Sequence, residues 1–280
     1  MALSRPVLPD FRKPPVGEVV LSLQFNAIAG FQATHLGLFW SRVRADYPKS
    51  ETYPPIDPVV EQFGTRPQPT QGIRFEIVQS GFVPRVWLLN DAGTELIQIQ
   101  QDRFIRNWRK VQETDEYPRY ELLRERFERD FRAFDHFIRE EKLPEIVPNQ
   151  CEVTYINHID TGDDWRDLGK IDEVFTVWKK TAFKETDLVT ETVRFQGRFR
   201  FGADQTSTNA AGRLSVEVQP AFRTSDGKPI LVMNLTARGA PKGPGLGEVL
   251  QFFDAGRAEI VRSFAALTTK IMHDKWGRCD

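Results

Sequence analysis

The stretch Ile97–Lys110, IQIQQDRFIRNWRK, gathers the side chains of this chain best suited to recognition: Gln98, Gln100, Asp102, Arg103, Arg106, Asn107, Trp108 and Arg109. Amides and guanidiniums at this density suit hydrogen bonding to a partner, and arginine grips a carboxylate or phosphate with two parallel bonds. The chemistry they suggest is binding of a protein or peptide partner, of a small anionic ligand, or of nucleic acid. Gln98, Gln100, Asp102 and Arg106 are expected on one sheet face, with Ile97, Ile99 and Ile105 turned to the core.

The signs of catalysis are thin. The chain holds no Gly-x-Ser-x-Gly nucleophile elbow, and neither Cys151 nor Cys279 has a histidine near it in sequence. The histidines His35, His136, His158 and His273 are dispersed. The loop NHIDTGDDWRD places His158, Asp160, Asp163 and Asp164 close together, the nearest approach to a hard-cation site. It lacks the spacing of a calcium-binding loop, and Asp163 or Asp164 serves equally well as a helix cap. GAPKGPGLGE (239–248) breaks both phosphate-loop templates, since Lys242 is followed by Gly243 and Pro244. His136 and Glu140 read as a solvated helix face. No metal site, no cofactor and no catalytic residue are implied, and the reading leans away from an enzyme.

A second recognition candidate is VRFQGRFRF (193–201), with Val193, Phe195, Phe199 and Phe201 on one face and Arg194, Gln196, Arg198 and Arg200 on the other. Glu217 on the neighbouring strand is expected to pair with one of these arginines.

These residues need elements to hold them. Strands are expected at 17–25, 72–79, 85–90 and 95–108, with Asp91–Gly93 as a hairpin turn. A first helix is expected over 34–48, capped by Thr34 and stopped by Pro48, and the proline-rich residues 49–71 as a loop or surface wrap. A long helix over 117–143 carries Tyr120, Leu123, Phe127, Phe131 and Phe134 at intervals of three and four, the stripe of a helix lying on a sheet. Then the order recurs: a strand at 150–159, a helical or irregular stretch at 164–180, strands at 191–202, 212–222 and 229–238, and a final helix over 246–277.

The expected fold is therefore α+β, a tandem duplication of a β-α-β-β-β-α unit. A proline-rich lead (1–16) precedes the first repeat (17–148) and the second (149–280). The antiparallel sheets, each packed by a long helix, either stay separate or join into one continuous curved sheet that hides two edges.

Composition narrows the classes. At 280 residues with 40% hydrophobic and 28% charged side chains, the chain belongs with ordinary globular proteins. A net charge of −1 removes any global drive toward nucleic acid, and no apolar run is long enough to cross a bilayer. Two cysteines outside any Cys-x-x-Cys pattern read as free thiols, and the expected location is the cytoplasm.

KPPVGEVVLSLQF, LFWSRVRADYP, LIQIQQDRFIRNWRK followed by YPRY, and AEIVRSFAALTTKIMHDKWG recur in the order that characterises a sporadically distributed family of prokaryotic conserved proteins of similar length. The chain resembles that family over nearly its whole extent, most specifically in the Gln-x-Gln, Asp-Arg-Phe and Asn-Trp-Arg run and the C-terminal Trp-Gly. The resemblance implies no activity or cofactor. Its sporadic occurrence suggests an accessory gene of a defence, toxin–antitoxin or small biosynthetic cluster. The resulting expectation is a non-enzymatic protein that recognises a protein or peptide partner through Gln98–Arg109. The alternative is a pocket between sheet and helices in which Arg103, Arg106 and Arg109 hold a small anion. Nucleic-acid binding stands third, against the balanced charge.

Overall fold

The computed structural model describes residues 7–63, 83–162, 165–179, 185–202, 210–224 and 226–279. Apolar alternation in VGEVVLSLQF turns Val19, Leu21, Leu23 and Phe25 to one side, and this segment forms β1 (Val16–Phe25). Helix α1 (Ala33–Val43) follows, its first turn closed by His35 Nδ1 accepting from Gln32 N–H at 2.8 Å. Then come strands β2 (Lys49–Tyr53), β3 (Arg85–Leu89), β4 (Glu95–Gln100) and β5 (Arg103–Arg109), and helix α2 (Tyr120–Glu140). Strand β6 (Pro148–Asp160) leads through a short 3-10 turn at Ile171–Glu173 to β7 (Phe195–Phe201), β8 (Gly212–Phe222) and β9 (Pro229–Gly239). Helices α3 (Leu246–Leu267) and α4 (Lys270–Trp276) end the chain.

All nine strands join one antiparallel sheet in the order β2-β3-β4-β5-β1-β6-β9-β8-β7. The architecture is α+β, with a single sheet where separate sheets were the other expectation. At its centre β1 and β6 pair along nearly their full length. On one side of the sheet lie the helices. Phe127, Phe131 and Phe134 of α2 surround Phe104 of β5 at 5.5–5.6 Å between ring centroids, and Phe253 of α3 meets Phe127 edge-on at 4.9 Å. Burying each such ring contributes about 1.5–3 kcal/mol, which makes this aromatic layer the main tie between helices and sheet.

Several expected boundaries move, each for a local reason. The expected strand over 72–79 lies outside the described residues. Residues 49–53, expected as loop, form β2 on the outer edge of β3. Residues 165–179 are irregular apart from the 3-10 turn, so among the described residues no helix of the second half corresponds to α1. The final helix breaks in two at Thr268–Thr269. There Thr268 Oγ1 donates to Phe264 O at 2.7 Å, while Thr269 N–H and Leu267 O turn outward to pair with Val174 O and Thr176 N–H. The break resets the helical phase and leaves Ile271 half exposed.

Candidate functional site

The run 95–109 is a hairpin, and its turn decides where the polar residues point. Gln101 and Asp102 form a two-residue connection, so Gln100 pairs with Arg103 and the two side chains share a face. Beyond the turn the parity therefore inverts. Gln98, Gln100, Arg103, Ile105, Asn107 and Arg109 lie on the face without helices, whereas Phe104, Arg106 and Trp108 lie against them. The expected grouping of Arg106 with Gln98, and of Ile105 with the core-side isoleucines, is corrected by this inversion.

Arg106 is buried beneath α2. Its Nε donates to Asp130 Oδ2 at 3.0 Å, Nη2 pairs with Glu95, and Tyr47 Oη donates to the same Asp130 oxygen at 2.6 Å. Burial raises the Tyr47 phenol to about 12. Trp108 packs on Tyr117 at 5.6 Å. Both belong to the interior. Arg109 Nε donates to Gly93 O at 2.9 Å and so braces the β3–β4 turn. Arg103, Arg106 and Arg109 thus do not converge on a common anion.

On the opposite face, the polar residues of the sheet hold a segment of the chain itself. After β2 the chain continues as PPIDPVVEQF (54–63), whose prolines keep it extended. It crosses the strands in their order in the sheet. Gln100 of β4 makes a paired bond with the backbone of Ile56, accepting from its N–H at 2.9 Å and donating to its carbonyl at 2.8 Å. Arg103 of β5 donates to Asp57 O at 3.0 Å. Gln24 of β1 accepts from Val59 N–H at 2.9 Å, and Gln150 of β6 from Glu61 N–H at 3.3 Å. Glu61 then inserts its carboxylate among Arg238 of β9, Arg213 of β8 and Arg198 of β7 at 3.5, 2.7 and 3.4 Å. Arg213 also donates to Gln62 O at 2.8 Å and lies over the Phe63 ring. Only 6% of the Glu61 side chain remains exposed, which makes it the anchor of the segment.

Two kinds of reading are combined in this strap. The glutamines address backbone N–H and C=O groups, which every extended peptide offers at regular intervals. The three arginines address a side chain, and they accept only an anion. Around this track Asn107 donates to Glu18 Oε1 at 2.5 Å and accepts from Gln98, and Gln98 accepts from Arg85 at 2.9 Å. Asp102 accepts from Gln100 at 2.6 Å and steadies its amide. Burial raises the Glu18 carboxyl and lowers the Arg103 and Arg85 guanidiniums. The same face keeps polar atoms with no hydrogen-bond partner: Arg85 Nε, Trp87 Nε1, Arg103 Nε, Gln150 Nε2 and Asn234 Oδ1. Unpaired buried polar atoms are costly, and these five lie on the face that the strap crosses.

Of the other candidates, Gln196 faces Glu217 and Arg198 faces Ser215 across the β7–β8 ladder. The acid that meets the arginines comes from the strap, not from Glu217. Asp163 and Asp164 lie outside the described residues, while Asp160 is 3.6 Å from Arg223. Among the described residues no three His, Cys, Asp or Glu side chains gather in a way that could hold a metal ion. His273 sits beneath Phe11 with Nε2 2.8 Å from Thr268 Oγ1, and His136 pairs with Glu140 on the surface of α2. In the glycine-rich loop, Gly245 precedes α3 and Glu248 occupies its first turn.

The strap segment was expected as a loop or surface wrap; what the sequence reading missed is its seat across the polar face, on Gln24, Gln150, Arg213 and Arg238. The strap's signal was the proline spacing of PPIDPVV, which fixes an extended backbone even though no strand periodicity accompanies it. No family model, curated protein or solved structure matches the chain.

Proposed function

We propose that this is a non-enzymatic binding protein whose helix-free sheet face receives an extended, acidic segment of a protein partner. The observation that carries the reading is the strap 54–63, read by one polar side chain from each of seven successive strands. In that arrangement the chain holds its own stand-in for the partner. Glutamines supply affinity for any extended backbone, and the arginine cage around Glu61 selects a carboxylate. Once Glu61 is withdrawn, Arg198, Arg213 and Arg238 are left on this face with Glu152, to which Arg238 Nη2 is bound at 2.5 Å, and Glu217. The freed face then carries an excess of positive charge, matched by an acidic segment.

The strand order supports a further proposal about origin. On either side of the β1–β6 pair the orders β5-β4-β3 and β9-β8-β7 mirror each other, and each set is followed by a long helix. We take this as the trace of a duplicated unit, and the resemblance to a family of sporadic accessory proteins as its setting. Among the described residues no helix is long and apolar enough to cross a membrane. Two unpaired thiols, one buried, favour a cytoplasmic location.

The experiment is a selection from a random peptide library on two immobilised forms of the full chain. In one form residues 54–63 are replaced by a Gly-Ser linker; the other adds R213A and R238A to that replacement. The reading predicts that the first form enriches extended peptides with a central Glu or Asp and that the second loses this enrichment. Equal enrichment on both forms, or selection without acidic preference, would sink it. E61Q in the otherwise intact chain gives a milder opening of the same face should the linker form fold poorly.

A further inference from the structure

On the opposite side of the sheet, beneath the helices, lies a cavity of about 290 Å3, at the lower end of the range for small-molecule sites. β6 contributes Tyr155 and Asn157, the approach to α2 contributes Tyr117, and α3 contributes Arg257, Ile260 and Phe264. The N-terminal lead closes one wall. Phe11 is wedged against Phe264 and Trp276, and Arg119 clamps the lead by donating to Asp10 Oδ1 at 3.2 Å and Phe11 O at 3.0 Å. Arg119 holds a φ of 72°, one of only two positive values at non-glycine residues among those described. Such strain persists where surrounding contacts enforce it, commonly beside sites that bind.

Half of the lining residues are polar, among them Tyr117, Tyr155, Asn157, Arg257 and the exposed acids Asp10 and Glu121. The hydroxyls of Tyr117 and Tyr155 are 2.9 Å apart, so one donates to the other and one proton of the pair is left for an incoming acceptor. Burial holds both phenols protonated, Tyr155 at about 12 and Tyr117 well above its ordinary value. Arg257 lines the cavity with Tyr155, lies over the Tyr120 ring at 5.1 Å, and keeps its Nε buried with no hydrogen-bond partner among the described residues. Among the described residues its only ion-pair neighbour is Glu121 at 3.6 Å, a carboxylate 72% exposed to solvent. Arg119 is already committed to Asp10. The site therefore offers one cation free to change partner, one phenolic donor, and walls of Phe264, Ile260 and Leu235.

We propose that this cavity binds a small monocarboxylate with an apolar or aromatic body, its carboxylate on Arg257 and the tyrosine pair. A phosphate dianion would need a second free cation, and a neutral ligand would leave the guanidinium unanswered. The site lies across the sheet from the strap and does not depend on the peptide-binding reading.

The test is isothermal titration of the full chain with phenylacetate, phenylacetamide and inorganic phosphate. Phenylacetate is expected to bind, phenylacetamide at least ~10-fold more weakly, and phosphate not at all. R257Q should weaken phenylacetate at least ~10-fold, and V261W, which fills the cavity from α3, should abolish binding without lowering the melting temperature by more than a few degrees. Y117F, at the half-exposed edge of the cavity, gives a second reading of the polar group should R257Q fold poorly. The proposal is overturned if neither phenylacetate nor benzoate nor isovalerate binds at millimolar concentration. It is equally overturned if the amide binds as well as the acid, or if the variants leave affinity unchanged.

Discussion

Arg106 carries the largest energetic stake of any single residue in the 95–109 run. Its guanidinium is almost fully buried between Asp130 and Glu95, acids that pair on their outer sides with Arg129 and Arg126. Removing the buried member of such a network strips hydrogen bonds from the acids that remain, and with Arg126 and Arg129 still in place the cost is about 3 kcal/mol, the lower end for a broken buried pair. R106A is therefore expected to lower unfolding free energy by that amount in urea, with an unchanged dependence on denaturant. Glu18 behaves in the opposite sense. Burial raises its carboxyl above 4.5, so the folded chain binds that proton more tightly than the unfolded chain does. Stability from this group is present below 4.5 and is lost as pH rises through the raised folded value. E18Q, which keeps an acceptor for Asn107, should gain on the native chain as pH goes from 4.5 to 7. Urea midpoints at the two pH values check this; a difference that is constant or shrinks would contradict it.

At the scale of elements, what could be read from sequence divides by whether a local rule was enough. The stripe Leu123, Phe127, Phe131 and Phe134 located α2 because a helix against a sheet must bury every third or fourth residue. Alternation located β1, β4 and β9 in the same way. The polar run resisted, because a two-residue turn at Gln101–Asp102 flips every later side chain, and no composition signal marks a flip. The run was singled out for recognition of a partner; Gln100 and Arg103 hold a segment of the chain itself. That segment lies some forty residues upstream, and no local rule joins the two. The helix break at Thr268–Thr269 was hidden for a similar reason, since bonds to Val174 and Thr176 impose it from a distance. Two measurements belong here. Thr269 caps α4 through its hydroxyl, and T269A should cost about 1 kcal/mol in urea unfolding. Q100L removes both bonds to Ile56, and hydrogen exchange at the Ile56 amide should quicken ~10-fold, on the order expected for one net hydrogen bond. Unchanged exchange there would mean that the strap is held without its glutamines.

For the whole molecule, the seam between β1 and β6 governs cooperativity. Each half contributes one of the two central strands, so dividing the chain before Pro148 would expose both as long unpaired edges. Fragments 7–147 and 148–279 are expected to be unfolded or aggregated alone and to regain helical and sheet signals when expressed together, while the intact chain melts in one transition. The sheet also separates two surfaces, a polar face crossed by the strap and a helix-covered face with a cavity. The central claim concerns the first. Its most direct test is fluorescence anisotropy of a labelled PPIDPVVEQF peptide added to the chain whose own residues 54–63 are replaced by a Gly-Ser linker. The account predicts saturable binding, weakened at least ~10-fold when the peptide's Glu is replaced by Gln and weakened by added salt, as expected of a carboxylate among three arginines. Binding that ignores the Glu-to-Gln change, or no binding to a folded linker variant, would contradict it.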